Sequence, residues 1–128
     1  MNRQALIAGS LFGALAVILG AFGAHALKEI LPADKLQVYQ TGVQYQFYHS
    51  FALLISGILF ASFPNKAMKL AATLFIVGII LFSGSLYAMC ALSISGKSLG
   101  PAGAITPVGG LFFIMGWLSM FFGILKRK

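Results

Sequence analysis

From Ala5 to Leu27 the chain runs 23 residues without a Lys, Arg, Asp or Glu. Wound as a helix at 1.5 Å per residue, a run of that length crosses the roughly 30 Å of hydrocarbon in a bilayer. Arg3 ahead of it and Ala24-His25-Ala26 near its end imitate a secretory signal with its cleavage site. The apolar region of such a signal is only about 7 to 15 residues long, so the run is expected to persist as a membrane helix over about residues 5–26. The remaining composition agrees, with 59% hydrophobic and 9% charged residues where soluble domains carry about a quarter charged. Mean hydropathy is +0.94, and 128 residues are enough for one domain.

Three more apolar segments follow. Pro32 favours a helix start just beyond it, near Ala33 or Asp34. Counted to Ser62, that helix is about 43 Å long, so its membrane part is expected over about residues 45–62, with the polar start outside. Phe63-Pro64-Asn65-Lys66 reads as a tight turn, followed by spans over about residues 67–92 and 106–125. Thr106-Pro107 reads as a helix cap with Pro at the first helical position. The fold class that follows is an all-α membrane protein, a compact bundle of four transmembrane helices. Its 15 glycines include a Gly9-x-x-x-Gly13 step and a stripe of Gly109, Gly116 and Gly123, the kind of spacing that lets helix backbones approach closely in lipid.

The net charge of +7 comes from bases scattered singly between apolar runs, which points to orientation in a membrane and away from nucleic acid. Arg3, Lys66, Lys69, Lys126, Arg127 and Lys128 fall on one side of four spans and Lys28, Lys35 and Lys97 on the other. The positive-inside rule then places both ends of the chain in the cytoplasm. On that topology His25, His49, Tyr45, Tyr48, Tyr87, Met89 and Cys90 are expected to gather at one outer depth. Cys90 is the single cysteine, so no internal disulfide can form.

The stretch with most chemistry is Gln40 to Ser56, where a polar, aromatic segment runs into an apolar one. An ionisable group near hydrocarbon is either satisfied by a neighbouring helix or put to use. His25, His49, Tyr45, Tyr48 and Gln44 are the candidates for holding a haem or a quinone-like or lipid-like ligand, and His25, His49, Cys90 and Met89 for a soft metal. Against this stands the plainer reading of a structural hydrogen-bond network, since the chain has no His-x-x-x-His and no second cysteine. Tyr45, Tyr48 and Tyr87 fit an interfacial belt. Trp117 lies mid-span and needs an acceptor such as Ser56 or a backbone carbonyl, and Ser83-Gly84-Ser85 can kink its helix or line a small cavity. No Asp or Glu falls inside a span, which disfavours hydrolysis and proton-coupled pumping.

Several segments carry a resemblance: Gly20-Ala21-Phe22-Gly23-Ala24-His25, Thr41-Gly42-Val43-Gln44-Tyr45-Gln46-Phe47-Tyr48-His49, Leu81-Phe82-Ser83-Gly84-Ser85-Leu86-Tyr87, Thr106-Pro107-Val108-Gly109-Gly110 and Gly116-Trp117. In this order they resemble the small inner membrane proteins grouped as domain of unknown function 423. The resemblance implies a mostly bacterial, four-helix, multi-pass protein and transfers no activity and no catalytic residues. The functional expectation is thus a non-enzymatic accessory or ligand-binding bundle in the lipid bilayer. A small oligomeric transporter or channel and a haem, metal or quinone redox component are the alternatives. A second copy or another membrane protein is the partner class left open.

Overall fold

The computed structural model describes residues 1–126. It is all helical, with no strand among the described residues. The helices are α1 (Arg3–His25), α2 (Ala33–Leu59), α3 (Lys66–Gly78), α4 (Gly84–Ile94) and α5 (Ile105–Lys126). A π-helical segment, Ile79–Ser83, joins α3 to α4 in one continuous rod, and short 3-10 turns at Leu27–Glu29 and Gly100–Ala104 complete the connections. Three helical stretches are long and apolar enough to cross a membrane: Arg3–Glu29, Lys66–Ile94 and Gly100–Lys126. α2 has 27 residues, comparable in length, but carries Gln, Thr and His along its course.

Local chemistry explains most helix starts. The Asn2 side chain accepts the Ala5 N–H at 3.2 Å, and that of Asn65 accepts the Met68 N–H at 2.9 Å, each occupying a donor that a first turn leaves orphaned. α2 begins directly after Pro32, which is extended. The expected cap at Thr106 is not used, because α5 starts one residue earlier, at Ile105, straight from a 3-10 turn. The Thr106 hydroxyl instead bonds that of Ser85 across to α4. Pro107 sits in the first turn, where its missing N–H costs nothing.

α2 lies at the centre, with α1 on one side and the α3–α4 rod on the other, while α5 packs along α3 and the π segment. The α1–α2 seam is antiparallel. A Cβ on Gly57 would meet Leu6, one on Gly9 would meet the Ser50 carbonyl and Leu54, one on Gly20 would touch Val43, and one on Gly23 would strike the Tyr39 ring. The Gly9-x-x-x-Gly13 step is not this seam, since a Cβ on Gly13 meets nothing within 4 Å. The buried residues of α1 are Ala5, Gly9, Ala16 and Gly23, the last three spaced by seven. One step of four overshoots a face that repeats at 3.6 residues per turn, whereas seven residues return to it almost in phase.

The seven-residue glycine stripe of α5 does form a seam. Gly123 lies on Met68, Gly116 on Phe75 and Gly109 on the Phe82 backbone, so one helix climbs by seven as the other descends by seven. Above these contacts Phe75, Leu53, Met68 and Ala71 form a fully buried core. The opposite faces carry Leu11, Ile18 and Phe22 of α1 and Leu111, Leu118 and Phe121 of α5 outward, which suits hydrocarbon and not water. Within the π segment one extra residue per turn shifts the register, and the Ser83 hydroxyl donates to the Gly42 carbonyl of α2 at 2.7 Å.

Candidate functional site

Gln46, His49, Ser50 and Ser56 of α2 are buried between the other helices, while Gln37, Gln40 and Gln44 are exposed. Gln46 is 3% and His49 4% exposed, and both are fully committed. The Gln46 amide donates to the Phe12 carbonyl of α1 at 2.7 Å, while its oxygen accepts the Tyr87 hydroxyl of α4 at 2.6 Å. One side chain thereby ties three helices together. Ser50 donates to the Gln46 carbonyl at 2.6 Å, and the Tyr39 hydroxyl donates to the Leu19 carbonyl at 2.6 Å. Among the described residues no buried side-chain nitrogen or oxygen lacks a partner, as burial away from water demands.

His49 is fixed more tightly still. Its Nδ1 lies 2.7 Å from the Tyr45 carbonyl, which can only accept, so Nδ1 carries the proton. The Trp117 indole, which can only donate, gives its N–H to His49 Nε2 at 3.1 Å. These two bonds are compatible with a single tautomer, the neutral imidazole protonated at Nδ1. The ring stacks on Phe113 with centroids 3.5 Å apart and planes 9° from parallel, and Trp117 stands edge-on to Phe75 at 5.2 Å. The partner expected for Trp117 is thus corrected from Ser56, whose hydroxyl donates to its own helix at Leu53, to His49. Tyr87, expected in an interfacial belt, donates its hydroxyl to Gln46.

The histidines do not share a depth. Gly23 lies against Tyr39 and Gly9 against Ser50, so His25, at the end of α1, is level with the first turns of α2. His49 is about twelve residues further along, roughly 18 Å at 1.5 Å per residue. His25 is exposed, whereas His49 is mid-bundle. Cys90 is buried at the His25 level, donating its thiol to the Lys35 carbonyl at 3.3 Å among Leu27, Leu31 and Tyr39. Met89 is half-buried beside it in the sequence. α2 runs beside the apolar part of α1 from Tyr39 onward, ahead of Tyr45, where its membrane part is expected to begin. Both imidazole nitrogens of His49 are hydrogen-bonded within the protein.

The expected ligand contacts divide in the same way. Gln44 is exposed and lines a cleft of about 270 Å³ with Gly20, Tyr39 and Phe47 on the α1 side. Tyr45 and Tyr48 lie on the other side, in a groove of about 590 Å³ between α2 and α5 whose walls include His49, Phe82, Phe113 and Trp117. Tyr45 and Tyr48 meet edge-to-face at 5.5 Å. Tyr48 is 51% exposed and Trp117 45%, and neither tyrosine hydroxyl bonds another group among the described residues. The groove is an aromatic slot with an imidazole in its wall and two unspent phenols at its rim. Gln46 was the residue sequence reasoning passed over; a glutamine on the helix face that also carries the small residues Gly42 and Ser50, at spacings of four, was the available sign.

Residues 19–110 match the model of the family described as protein of unknown function, DUF423. The chain is 41% identical over 128 residues to a UPF0382 membrane protein of Haemophilus influenzae, covering all of this chain and 98% of that protein. It is 41% identical over 122 residues to the UPF0382 membrane protein YwdK of Bacillus subtilis, covering 94% of this chain and 95% of that one. It is also 35% identical over 127 residues to the UPF0382 inner membrane protein YgdD of Escherichia coli, covering 99% and 93%. No solved structure matches the chain.

Proposed function

We propose, on the premise that this chain belongs to the DUF423 family of membrane proteins of unknown function, that it is a non-enzymatic binding bundle. Its ligand is a planar, lipophilic ring with carbonyl oxygens, quinone-like in chemistry, entering the α2–α5 groove sideways from the bilayer. The observation that carries this reading is the groove itself, where Tyr45, Tyr48 and Trp117 are exposed over the stacked pair of Phe113 and His49 and the two tyrosine hydroxyls offer unspent donors. Apolar walls with a few placed polar groups suit an amphiphilic ligand. A binding role without catalysis is supported by the commitment of both His49 nitrogens and by the position of the only acids, Glu29 and Asp34, outside the groove.

The same reading takes α2 as a fourth crossing, with both ends of the chain in the cytoplasm of a cell whose inner membrane holds the protein. Two observations support it. α2 lies beside α1 from Tyr39 to Gly57, through the whole apolar depth of that helix. The Asn2 N–H donates to the Gly57 carbonyl, and Lys66 and Lys126 border one cleft, so Arg3, Lys66, Lys69 and Lys126 crowd one end of the bundle. Arg127 and Lys128, counted on the same side, lie outside the described residues.

Trp117 reports on the groove directly. Titrating the purified protein in detergent with a short-tailed benzoquinone or naphthoquinone should quench its fluorescence saturably. Removing both phenols in a Tyr45→Phe/Tyr48→Phe variant should weaken binding about tenfold, two hydrogen bonds of about 0.5–1.5 kcal/mol each being lost. Quenching that rises linearly without saturation, or that the double variant leaves unchanged, would remove the support for this function.

A further inference from the structure

We infer a second site, independent of the first: the cleft between α3 and α5 at the lysine-rich end binds an anionic phospholipid, one acyl chain in the cleft and the phosphate between Lys66 and Lys126. The cleft measures about 610 Å³ and is walled by Leu70, Leu74, Met115, Leu118 and Phe122. It opens toward Lys66, the first residue of α3, and Lys126, the last of α5. The two helices are antiparallel, with Gly123 on Met68, and for that reason a first residue and a last residue meet at one mouth.

Length and charge decide the occupant. From Lys66 to Leu74 the wall is about 12 Å long at 1.5 Å per residue, close to the half-thickness of roughly 15 Å that one leaflet's hydrocarbon supplies. The only acidic side chains in the sequence are Glu29 and Asp34, on the α1–α2 connection and the first turn of α2, at the far end of the bundle. No carboxylate side chain of the protein can therefore neutralise Lys66 or Lys126. The partial positive charge of the α3 N-terminus and the partial negative charge of the α5 C-terminus offset each other at this mouth, which leaves the two ammonium groups to set its sign. The Ser119 hydroxyl does not compete for a headgroup, since it donates to the Ala67 carbonyl at 2.6 Å. Basic clefts between membrane helices at a headgroup level select anionic lipids, and a zwitterionic lipid would bring its own cation against the two ammonium groups.

Native mass spectrometry of the full chain in nonionic detergent tests this with phosphatidylglycerol, phosphatidylcholine and inorganic phosphate as probes. Phosphatidylglycerol should bind at roughly tenfold lower concentration than phosphatidylcholine, on the order expected for two lysines near a headgroup. The Lys66→Gln/Lys126→Gln variant should lose that preference, and Lys28→Gln/Lys97→Gln, altered at the other end, should keep it. Leu74→Trp, which fills the cleft and leaves both lysines, should weaken binding of the lipid and so tests the site even where the double lysine variant fails to fold. Equal binding of the two lipids, a preference that survives Lys66→Gln/Lys126→Gln, undiminished binding to Leu74→Trp, or displacement of the lipid by equimolar inorganic phosphate would each overturn the proposal.

Discussion

At the scale of single residues, the pair of His49 and Trp117 shows how a polar group is made tolerable in the middle of a lipid-facing bundle. Each nitrogen of the imidazole has one partner, each partner is of the only type that nitrogen can accept, and the ring face is covered by Phe113. Replacing His49 by Ala leaves the Trp117 N–H unpaired and opens a void, and should lower stability in detergent by about 2–4 kcal/mol. Trp117→Phe keeps most of the packing and should cost about 1–2 kcal/mol. Because the two share one hydrogen bond, the double variant should fall short of the sum by about 1 kcal/mol. Full additivity in a thermal or denaturant unfolding cycle would mean that the bond does not bind the helices together. Of this pair, the sequence disclosed only the need: an indole at mid-span with no acceptor beside it. Which acceptor answers is decided by the turn of α2 against α5, a contact across 68 positions that no local pattern encodes.

At the scale of elements, glycine spacing was legible in one helix and misleading in another. The α5 stripe of Gly109, Gly116 and Gly123 could be read as a seam because its repeat of seven matches two helical turns, and the structure seats all three against α3 and the π segment. In α1 the more familiar four-residue step points to Gly13, which packs on nothing, while the working seam contains an Ala at its middle position, Ala16. The difference is testable in a pair of variants. Gly109→Ala drives a methyl into the Phe82 backbone and should cost about 3 kcal/mol, the upper part of the usual overpacking range. Gly13→Ala meets open space and should be neutral or up to about 1 kcal/mol more stable, since Ala is the better helix former. Comparable destabilisation of both, measured by thermal midpoint, would contradict the seam assignment. The π segment was less legible. Ser83-Gly84-Ser85 marked the place, but the bond that Ser83 makes there goes to the Gly42 carbonyl on another helix, 41 positions away.

At the scale of the whole molecule, the polarity of α2 and its central position explain each other. Apolar helices flank α2, whose Gln46, His49, Ser50 and Ser56 find their partners inside the protein while its Tyr48, Phe51, Ile55 and Ile58 face outward. The membrane class and the all-helical architecture were legible from composition and apolar runs. The partners of the polar residues of α2 were not, because they lie on other helices, at Phe12 for Gln46 and at Trp117 for His49. This central claim, that α2 crosses, is tested most directly by single cysteines at Asn2, Asp34, Lys66, Lys97 and Lys126 in a Cys90→Ala background, labelled in intact and permeabilised cells with a membrane-impermeant maleimide. The account predicts that positions 34 and 97 label in intact cells and that positions 2, 66 and 126 label together only after permeabilisation; labelling of positions 2 and 126 from opposite faces would contradict it.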